Sequence, residues 1–427
     1  MKLKYKLDEI PPILDLFLLG FQWFVVIIPI IIIVGKIIGI LHFDGMEKQI
    51  TYIQKICFIS ALTILIQILY GHKLPLVNGP ATVLLIGVIA SKSFDIKTIY
   101  SSIMICGFIL MLLGATRLFS KILYLFTPRI VAVVLLLIAF TLAPTIVDLI
   151  TITNNGVSVI ANVTFSMTLV FVMLICNMYL KGIWKNTIII WSMIMGTICY
   201  YLIFQLNFSV GTNANTHIFS HFLKDITFPL SFNPGVFISF LICYIALAIN
   251  DLGAIQAMNV FLKPEYQSDR VIKGTTITGL AGIISGGLGI VGPVNFSFSP
   301  GVVASTKCAS RYTLLPAALL LFIFSFSPLM IAYITNLPSV IVGTILLFIM
   351  SFQVSSGLQI LTESDKLFTT FEECMIVGFP LLLGTIVAFM PPETVNMLPL
   401  YLRPIIANGF VVGVVSAFIL EHFIYKR

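Results

Sequence analysis

Two stretches of this sequence decide the fold. The first reads His72-Lys-Leu-Pro-Leu-Val-Asn-Gly-Pro-Ala-Thr82, and the second reads Gly292-Pro-Val-Asn-Phe-Ser-Phe-Ser-Pro-Gly301. Each lies in an apolar part of the chain and contains prolines, which remove a backbone donor and clash with the preceding helical turn. We therefore predict that each stretch begins extended and continues as a short half-helix. These half-helices are expected to begin at Pro80 and, after an N-cap at Ser299, at the next proline.

The surrounding chain is too apolar for a soluble protein. Of its 427 residues, 59% are hydrophobic and 10% are charged, whereas a soluble domain has about 25% charged residues. Apolar segments of about 20 residues, the length that crosses a bilayer, recur along the whole chain. The composition predicts an all-α polytopic membrane protein in a lipid bilayer. Its basic residues lie in short loops rather than on one face, which argues against nucleic-acid binding.

Fourteen apolar segments can be counted, and the third and tenth contain the two broken stretches. A polar stretch near residues 207–233 separates two sets of seven segments. Because an odd number of spans reverses the orientation of the second set, we predict a 7+7 inverted repeat. With both termini cytoplasmic, most of the 24 Lys and Arg residues lie on the inner side, as the positive-inside rule requires. The predicted location is the plasma (inner) membrane.

The paired breaks also indicate a function. Non-helical backbone at membrane depth is tolerated only where protein or a water-filled cavity satisfies its polar groups. Gly/Pro interruptions in corresponding segments of two halves are typical of the central binding site of a transporter. The positive ends of the two half-helices would suit anionic or carbonyl-bearing ligands. The alternative is a pair of proline kinks that bind nothing.

Few polar residues lie inside the predicted spans. Asp251, next to Asn250 in segment eight, is the clearest ionisable residue, and such residues are functional candidates by default. The alternative for Asp251 is a structural carboxylate that caps backbone or pairs with a loop base. Gln22 in segment one either contacts a ligand or bridges two helices. The seven scattered cysteines lack metal or redox spacing, and no catalytic, metal or cofactor motif occurs, so we predict no enzyme, no metal and no cofactor.

These features resemble the nucleobase–cation symporter-2 family, also called the nucleobase–ascorbate or xanthine/uracil permease family. In its signature, Glu or Gln, Asn, any residue and Gly open the tenth span; a Thr follows after four residues, and an Arg later. Here Gly301, Thr306 and Arg311 hold the last three of those positions, and Gly253 and Gln256 match in segment eight. The resemblance implies alternating access and uptake of a nucleobase-like small solute with H+ or Na+. It also implies a homodimer.

The same resemblance implies two domains, with the substrate between spans three, eight and ten. A core domain would comprise segments 1–4 and 8–11, at residues 13–118 and 235–334. A gate domain would comprise segments 5–7 and 12–14, at residues 127–206 and 337–424.

The chain departs from the family pattern at the positions that bind the base. Asn250 stands where the family has a Glu, and Phe298 and Ser299 replace the Glu or Gln and the Asn of the signature. Phe298 offers a stacking face for a planar ring, and Asp251 is the predicted proton-linked group because burial favours its neutral form. The predicted substrate site comprises Asn78, Gly79, Asn250, Phe298, Ser299, Gly301 and Gln22. The lost glutamates keep open an anion transporter or exchanger without proton coupling, whereas a channel or scaffold would not need paired broken helices.

Overall fold

The computed structural model describes residues 3–116, 127–153, 156–181, 183–206, 222, 231–262, 264, 267–296, 299–335, 337–362, 370–399 and 402–425. These residues are mostly helical, and the described helices of the first half are α1 (Ile13–His42), α2 (Met46–Leu69), α3 (Thr82–Ala90), α4 (Ile96–Ala115), α5 (Pro128–Thr141), α6 (Ala143–Thr151), α7 (Val159–Tyr179), α8 (Ile183–Asn186) and α9 (Ile188–Ile203).

The second half continues in the same way. Its described α-helices are α10 (Pro234–Leu262), α11 (Gln267–Gly287), α12 (Ser299–Thr306), α13 (Leu314–Ser325), α14 (Pro328–Thr335), α15 (Ser339–Thr362), α16 (Phe371–Ala388), α17 (Pro392–Met397), α18 (Arg403–Ile406) and α19 (Gly409–Ile419). A 3₁₀ turn at Arg311–Thr313 precedes α13, and a π-helical turn at Leu420–Ile424 follows α19.

Within this described part of the chain, eight helical stretches are long and apolar enough to cross a membrane. Three shorter apolar helices of 10 to 17 residues accompany them. The predicted multi-pass integral membrane protein is therefore confirmed. The polar stretch that divides the two predicted halves lies, apart from Phe222 and residues 231–233, outside the described residues.

The two broken segments have the predicted form. A strand, β1 (Asn78–Pro80), precedes α3, and a second strand, β2 (Pro293–Asn295), precedes α12. The strands pair antiparallel, with Asn78 opposite Asn295, Gly79 opposite Val294 and Pro80 opposite Pro293. Because the strands are antiparallel, α3 and α12 leave the pair in opposite directions, and each half-helix has its N-terminus beside the sheet.

The boundaries of these segments differ from the prediction. Pro80 does not open a helix, because it ends the strand, and Ala81 N donates to Gly292 O at 3.0 Å before α3 begins at Thr82. Residues 72–77 are irregular rather than extended, with Lys73 at a φ of 54°. The local steric rules located the breaks correctly, but the partner strand set where the helix begins.

Glycines allow a close contact between the helices α4 and α11. A Cβ added at Gly279 would lie 2.3 Å from Met111 N, and one at Gly286 would lie 2.5 Å from Met104 N. Gly107 on α4 lies equally close to the backbone of Gly282. Small residues let helix backbones approach in lipid, where packing replaces the hydrophobic effect. The backbones of α4 and α11 therefore pack in direct contact at these glycines.

The close contact between α4 and α11 gives a prediction about stability. Gly279→Leu places a side chain against the backbone of α4, so the helices must separate and the folded protein is lost. Gly378→Leu is the matched control, because a Cβ added there meets no described atom within 4 Å. We expect a monodisperse peak in detergent for the control and aggregate for Gly279→Leu. A stable, monodisperse Gly279→Leu protein would contradict the described packing.

Candidate functional site

Ser299 joins the two broken segments at the start of the half-helix α12. Its buried hydroxyl donates to Phe296 O at 2.8 Å and accepts from Val77 N at 3.2 Å. Phe296 N in turn donates to Val77 O at 2.8 Å. A hydroxyl has one donor and two acceptor positions, so the oxygen of Ser299 keeps a single lone pair for any ligand.

An aromatic ring lies against the strand of the first broken segment. A Cβ added at Gly79 would be 2.9 Å from Cε2 of Phe296 and 3.8 Å from Cγ2 of Ile27. Any side chain at residue 79 would displace this ring, so glycine lets β1 pass close to it. The aromatic residue predicted from the sequence, Phe298, lies outside the described residues. Its neighbour Phe296 was missed.

Two buried amides lack hydrogen-bond partners in the described part of the chain. Asn78 is 1% exposed and Gln22 is 4% exposed, and in both side chains neither the amide nitrogen nor the oxygen has a partner. Asn78 lies in β1, which packs against α1, the helix that carries Gln22. Buried polar groups are almost always hydrogen-bonded, so these amides are the candidate groups for binding a ligand or water.

The Asn78 amide gives a prediction that separates binding from folding. Asn78→Leu has a similar shape and removes two unsatisfied polar atoms, so we expect unchanged or higher thermal stability. Substrate affinity should fall by roughly 10- to 100-fold, because two ligand groups lose partners. Both quantities can be measured on the purified protein by thermal unfolding and by substrate binding.

The control for this prediction is Asn408, which is equally buried. Its side chain donates to Ser239 Oγ at 3.0 Å and accepts from Phe410 N and Val411 N at the start of α19. Asn408→Leu should lower stability by about 1–2 kcal/mol through loss of this N-cap. Equal destabilisation by both substitutions would show that Asn78 is also structural.

Asp251 holds the second broken segment in place. Its side chain is fully buried, and Oδ1 accepts from Asn295 N at 3.2 Å and from Asn295 Nδ2 at 2.7 Å. Oδ2 accepts from Thr278 Oγ1 at 3.0 Å. The carboxylate is therefore directed at β2 and α11, and its acceptor positions are served by neutral donors.

This network continues to His72, the first residue of the first broken stretch. His72 is fully buried; its Nδ1 accepts from Leu74 N at 3.0 Å, so Nε2 carries the proton and faces Asn295 Oδ1 at 3.3 Å. The Asn295 amide thus bridges His72 of the first broken segment and Asp251 of α10. No sequence signal could have identified this pair, because 223 positions separate His72 from Asn295.

A second group of the residues predicted for the site lies at least partly exposed on the surface. Gly253 and Gln256 on α10 and Gly301 on α12 are exposed, and Asn250 is half-buried on the same helix as Gly253. A Cβ added at Gly253 or Gly301 would meet no atom of the described residues within 4 Å. The helices α10 and α12 contact each other. Side chains at these positions would therefore project into open space beside the strand pair.

The remaining signature residues lie at the opposite end of α12. Thr306 Oγ1 donates to Val302 O at 2.9 Å and accepts from Cys308 N, which closes the helix. Arg311 pairs with Asp8 at 2.8 Å and donates to Ile68 O at 2.5 Å. Arg311 therefore ties the chain after α12 to the N-terminal segment and to α2, whereas Thr306 bonds within α12 and the turn that follows it. The structure does not bring either residue to the strand pair.

The fold and the site together define a class of protein. Apolar helices surround two half-helices whose N-termini meet at a short strand pair, and buried amides lie beside it. This arrangement of discontinuous helices is that of secondary transporters. The chain is an integral membrane transporter.

Comparison with known proteins gives the family. The model of a family described as "Permease family", that of the xanthine/uracil permeases, matches residues 14–393. The xanthine permease of Bacillus subtilis is 24% identical over 405 residues, which cover 93% of this chain and 89% of that protein. A purine-permease relative from Clostridium perfringens is 24% identical over 298 residues, 69% of this chain and 64% of the relative. The chain belongs to this permease family and is a transporter, not an enzyme, as the sequence predicts.

The fold has relatives among solved structures as well. The transmembrane domain of the cyanobacterial bicarbonate transporter BicA superposes with a TM-score of 0.60 at 13% identity, over 88% of this chain and 95% of that domain. At this identity the likeness concerns the fold alone.

Proposed function

We propose that this protein is a secondary active transporter that takes up a nucleobase-like solute of the xanthine/uracil type with a proton by alternating access. The observation that carries the proposal is the Asn78 amide, which is buried without a partner in the strand pair between the two half-helices. The xanthine and purine permeases among the relatives support the substrate class.

The proposed architecture has fourteen spans in a 7+7 inverted repeat, with the core and gate domains predicted from the sequence. The contacts of α4 with α11, and of α5 with α15, α16 and α19, support this division. Both termini would be cytoplasmic in the plasma membrane, and the protein would form a homodimer. In a variant of this proposal, a sodium ion replaces the proton as the coupling ion.

In this proposal, amide side chains rather than carboxylates bind and recognise the substrate. The side chain of Asn78 offers donors and an acceptor, as does that of Gln22, and such groups match the mixed donor and acceptor edge of a nucleobase. Asn250 occupies the position of the family's glutamate, and Gly301 keeps the approach to α12 open. A ring at Phe296 or Phe298 would stack on the planar base.

Asp251 would couple the proton without touching the substrate. In its ionised form it accepts the bonds from Asn295 that hold β2 against α10. Protonation turns one oxygen into a donor, and the Asn295 and Thr278 donors would then compete for fewer acceptors. The strand that carries half of the site would respond to the protonation state of Asp251.

The anion-exchanger alternative stays a prediction. Its half-helix dipoles are present, and BicA shares the fold. At 13% identity, however, this likeness does not identify a substrate.

Uptake into proteoliposomes tests the proposal. Labelled xanthine, uracil, urate and bicarbonate would be compared with and without an inward proton gradient, and with a sodium gradient. We expect a purine or pyrimidine base to accumulate when the outside is acidic. Uptake of bicarbonate without that of any base would overturn the proposal in favour of anion transport.

A further inference from the structure

A deep groove runs between α7 and α9, away from the strand pair. Its volume is about 780 Å³, and six of its lining residues are Leu169, Met173, Cys176, Ile188, Met195 and Cys199. The groove extends along α7 from Ala161 to Leu180, about 28 Å at 1.5 Å per residue, which matches the hydrocarbon core of about 30 Å. The hydroxyls of Thr164 and Thr168 donate to carbonyls of their own helix. The surface of the groove is therefore apolar along its length.

One end of the groove has a different chemistry. Trp184 and Trp191 both line it there and stack on each other, with ring centroids 5.3 Å apart. The exposed lysines Lys181 and Lys185 flank this end. No Asp or Glu occurs between Asp148 and Asp225, so no acidic residue of these helices or their connection neutralises the lysines.

We propose that this groove binds an anionic phospholipid, with an acyl chain along the groove and the headgroup phosphate at Lys181 and Lys185. Tryptophan prefers the level of the headgroups, and basic groups beside spanning helices attract anionic lipid headgroups. Along the groove, the apolar surface comes first, then the stacked tryptophans and then the lysines. A phospholipid has the matching order of acyl chain, interfacial region and charged headgroup.

A second copy of the chain fits this groove less well. A two-fold dimer in a membrane has its axis along the bilayer normal, and the same surface then meets itself at the same depth. The lysine pairs of the two copies would face each other at one level, where like charges repel. An anionic lipid neutralises the lysines, whereas a second copy doubles the charge.

The bound lipid would also lie close to the transport machinery. The short helix α8, which carries Trp184 and Lys185, contacts the half-helix α12. Lipid at the lysines would therefore hold the connection between α7 and α9 where it meets α12.

Tryptophan fluorescence gives a direct test. The chain has three tryptophans, and Trp23 is 3% exposed with its Nε1 bonded to Thr313, so lipid-borne quenchers report on Trp184 and Trp191. The full-length protein is placed in phosphatidylcholine nanodiscs that contain a low fraction of dibrominated phosphatidylglycerol or, for comparison, dibrominated phosphatidylcholine. We expect stronger quenching by the anionic lipid. Its apparent affinity should fall about fivefold in Lys181→Ala or Lys185→Ala and about 25-fold in the double variant.

Matched controls and alternatives complete the experiment. Lys48→Ala and Lys92→Ala remove exposed lysines elsewhere and should leave the quenching unchanged, and Trp184→Phe should reduce the quenched signal. Equal quenching by the two lipids, or full anionic preference in the double lysine variant, would overturn the proposal. So would absent quenching together with disulfide cross-linking of Cys199 between copies, which would assign the groove to a dimer. No transported substrate is involved, so the result is independent of the proposed function.

Discussion

Leucine in place of Gly301 should abolish uptake while the protein stays folded and inserted. Gly301 lies in the first turn of α12, and a Cβ added there meets no described atom within 4 Å. The larger side chain therefore costs no packing, but it projects into the space beside the N-terminus of the half-helix, where the substrate is proposed to lie. Uptake of the transported base into proteoliposomes should fall to the level of empty vesicles.

Gly378→Leu serves again as the control, because Gly378 also lies in a helix with open space around it. The control should insert and transport like the parent. If Gly301→Leu is monodisperse, reconstitutes fully and transports normally, the open space at Gly301 is not the substrate path. The site would then have to be placed elsewhere around the strand pair.

Replacing Asp251 with asparagine should remove accumulation against a gradient but preserve exchange of internal for external substrate, if Asp251 couples the proton as proposed. The amide oxygen can still accept from Asn295, and the Thr278 hydroxyl can turn to accept from the new amide nitrogen, so the strand stays in place. The side chain can no longer exchange a proton, and net transport coupled to protons stops. Exchange needs no net proton movement and continues. The two assays use the same proteoliposomes with and without internal substrate.

Asp148→Asn is the matched control, because Asp148 is an exposed carboxylate at the end of another helix and should behave like the parent. Weaker substrate affinity in both assays would assign Asp251 a direct binding role. Accumulation at the parent level in Asp251→Asn would make Asp251 a structural carboxylate, and the anion-exchanger alternative would then move ahead.

The sequence predicts the form of the broken segments because proline and glycine act locally. Pro75, Pro80 and Pro293 exclude continuous helix by their own geometry, whatever surrounds them. The exact helix start was mispredicted at Pro80, since the hydrogen bond from Ala81 to Gly292 extends the strand pair by one residue. That bond depends on a partner more than 200 positions away.

The contacts of the site residues are less accessible to sequence reasoning. Asp251 is recognisable as an unusual residue in an apolar span, but its partner Asn295 is 44 positions away, and no periodicity connects them. His72 reads as a loop residue beside Lys73, yet the fold buries it fully. Lys36 lies within α1, and its side chain donates to Leu337 O, 301 positions away. Spacing along the chain shows which residues are costly to bury, and only tertiary contacts show what satisfies them.

The strand pair has a consequence for how the protein is made. Asn78 leaves the ribosome 217 residues before its partner Asn295, an interval of roughly 10 to 45 s at about 5–20 residues per second. During that time the first broken segment is in the translocon or the bilayer with the polar backbone of residues 78–80 lacking its strand partner, which is costly in hydrocarbon. This segment must therefore be shielded by the translocon, a chaperone or neighbouring helices until the second broken segment is made. The strand pair is among the last parts of the molecule to form, and a chain that stops before residue 295 lacks it.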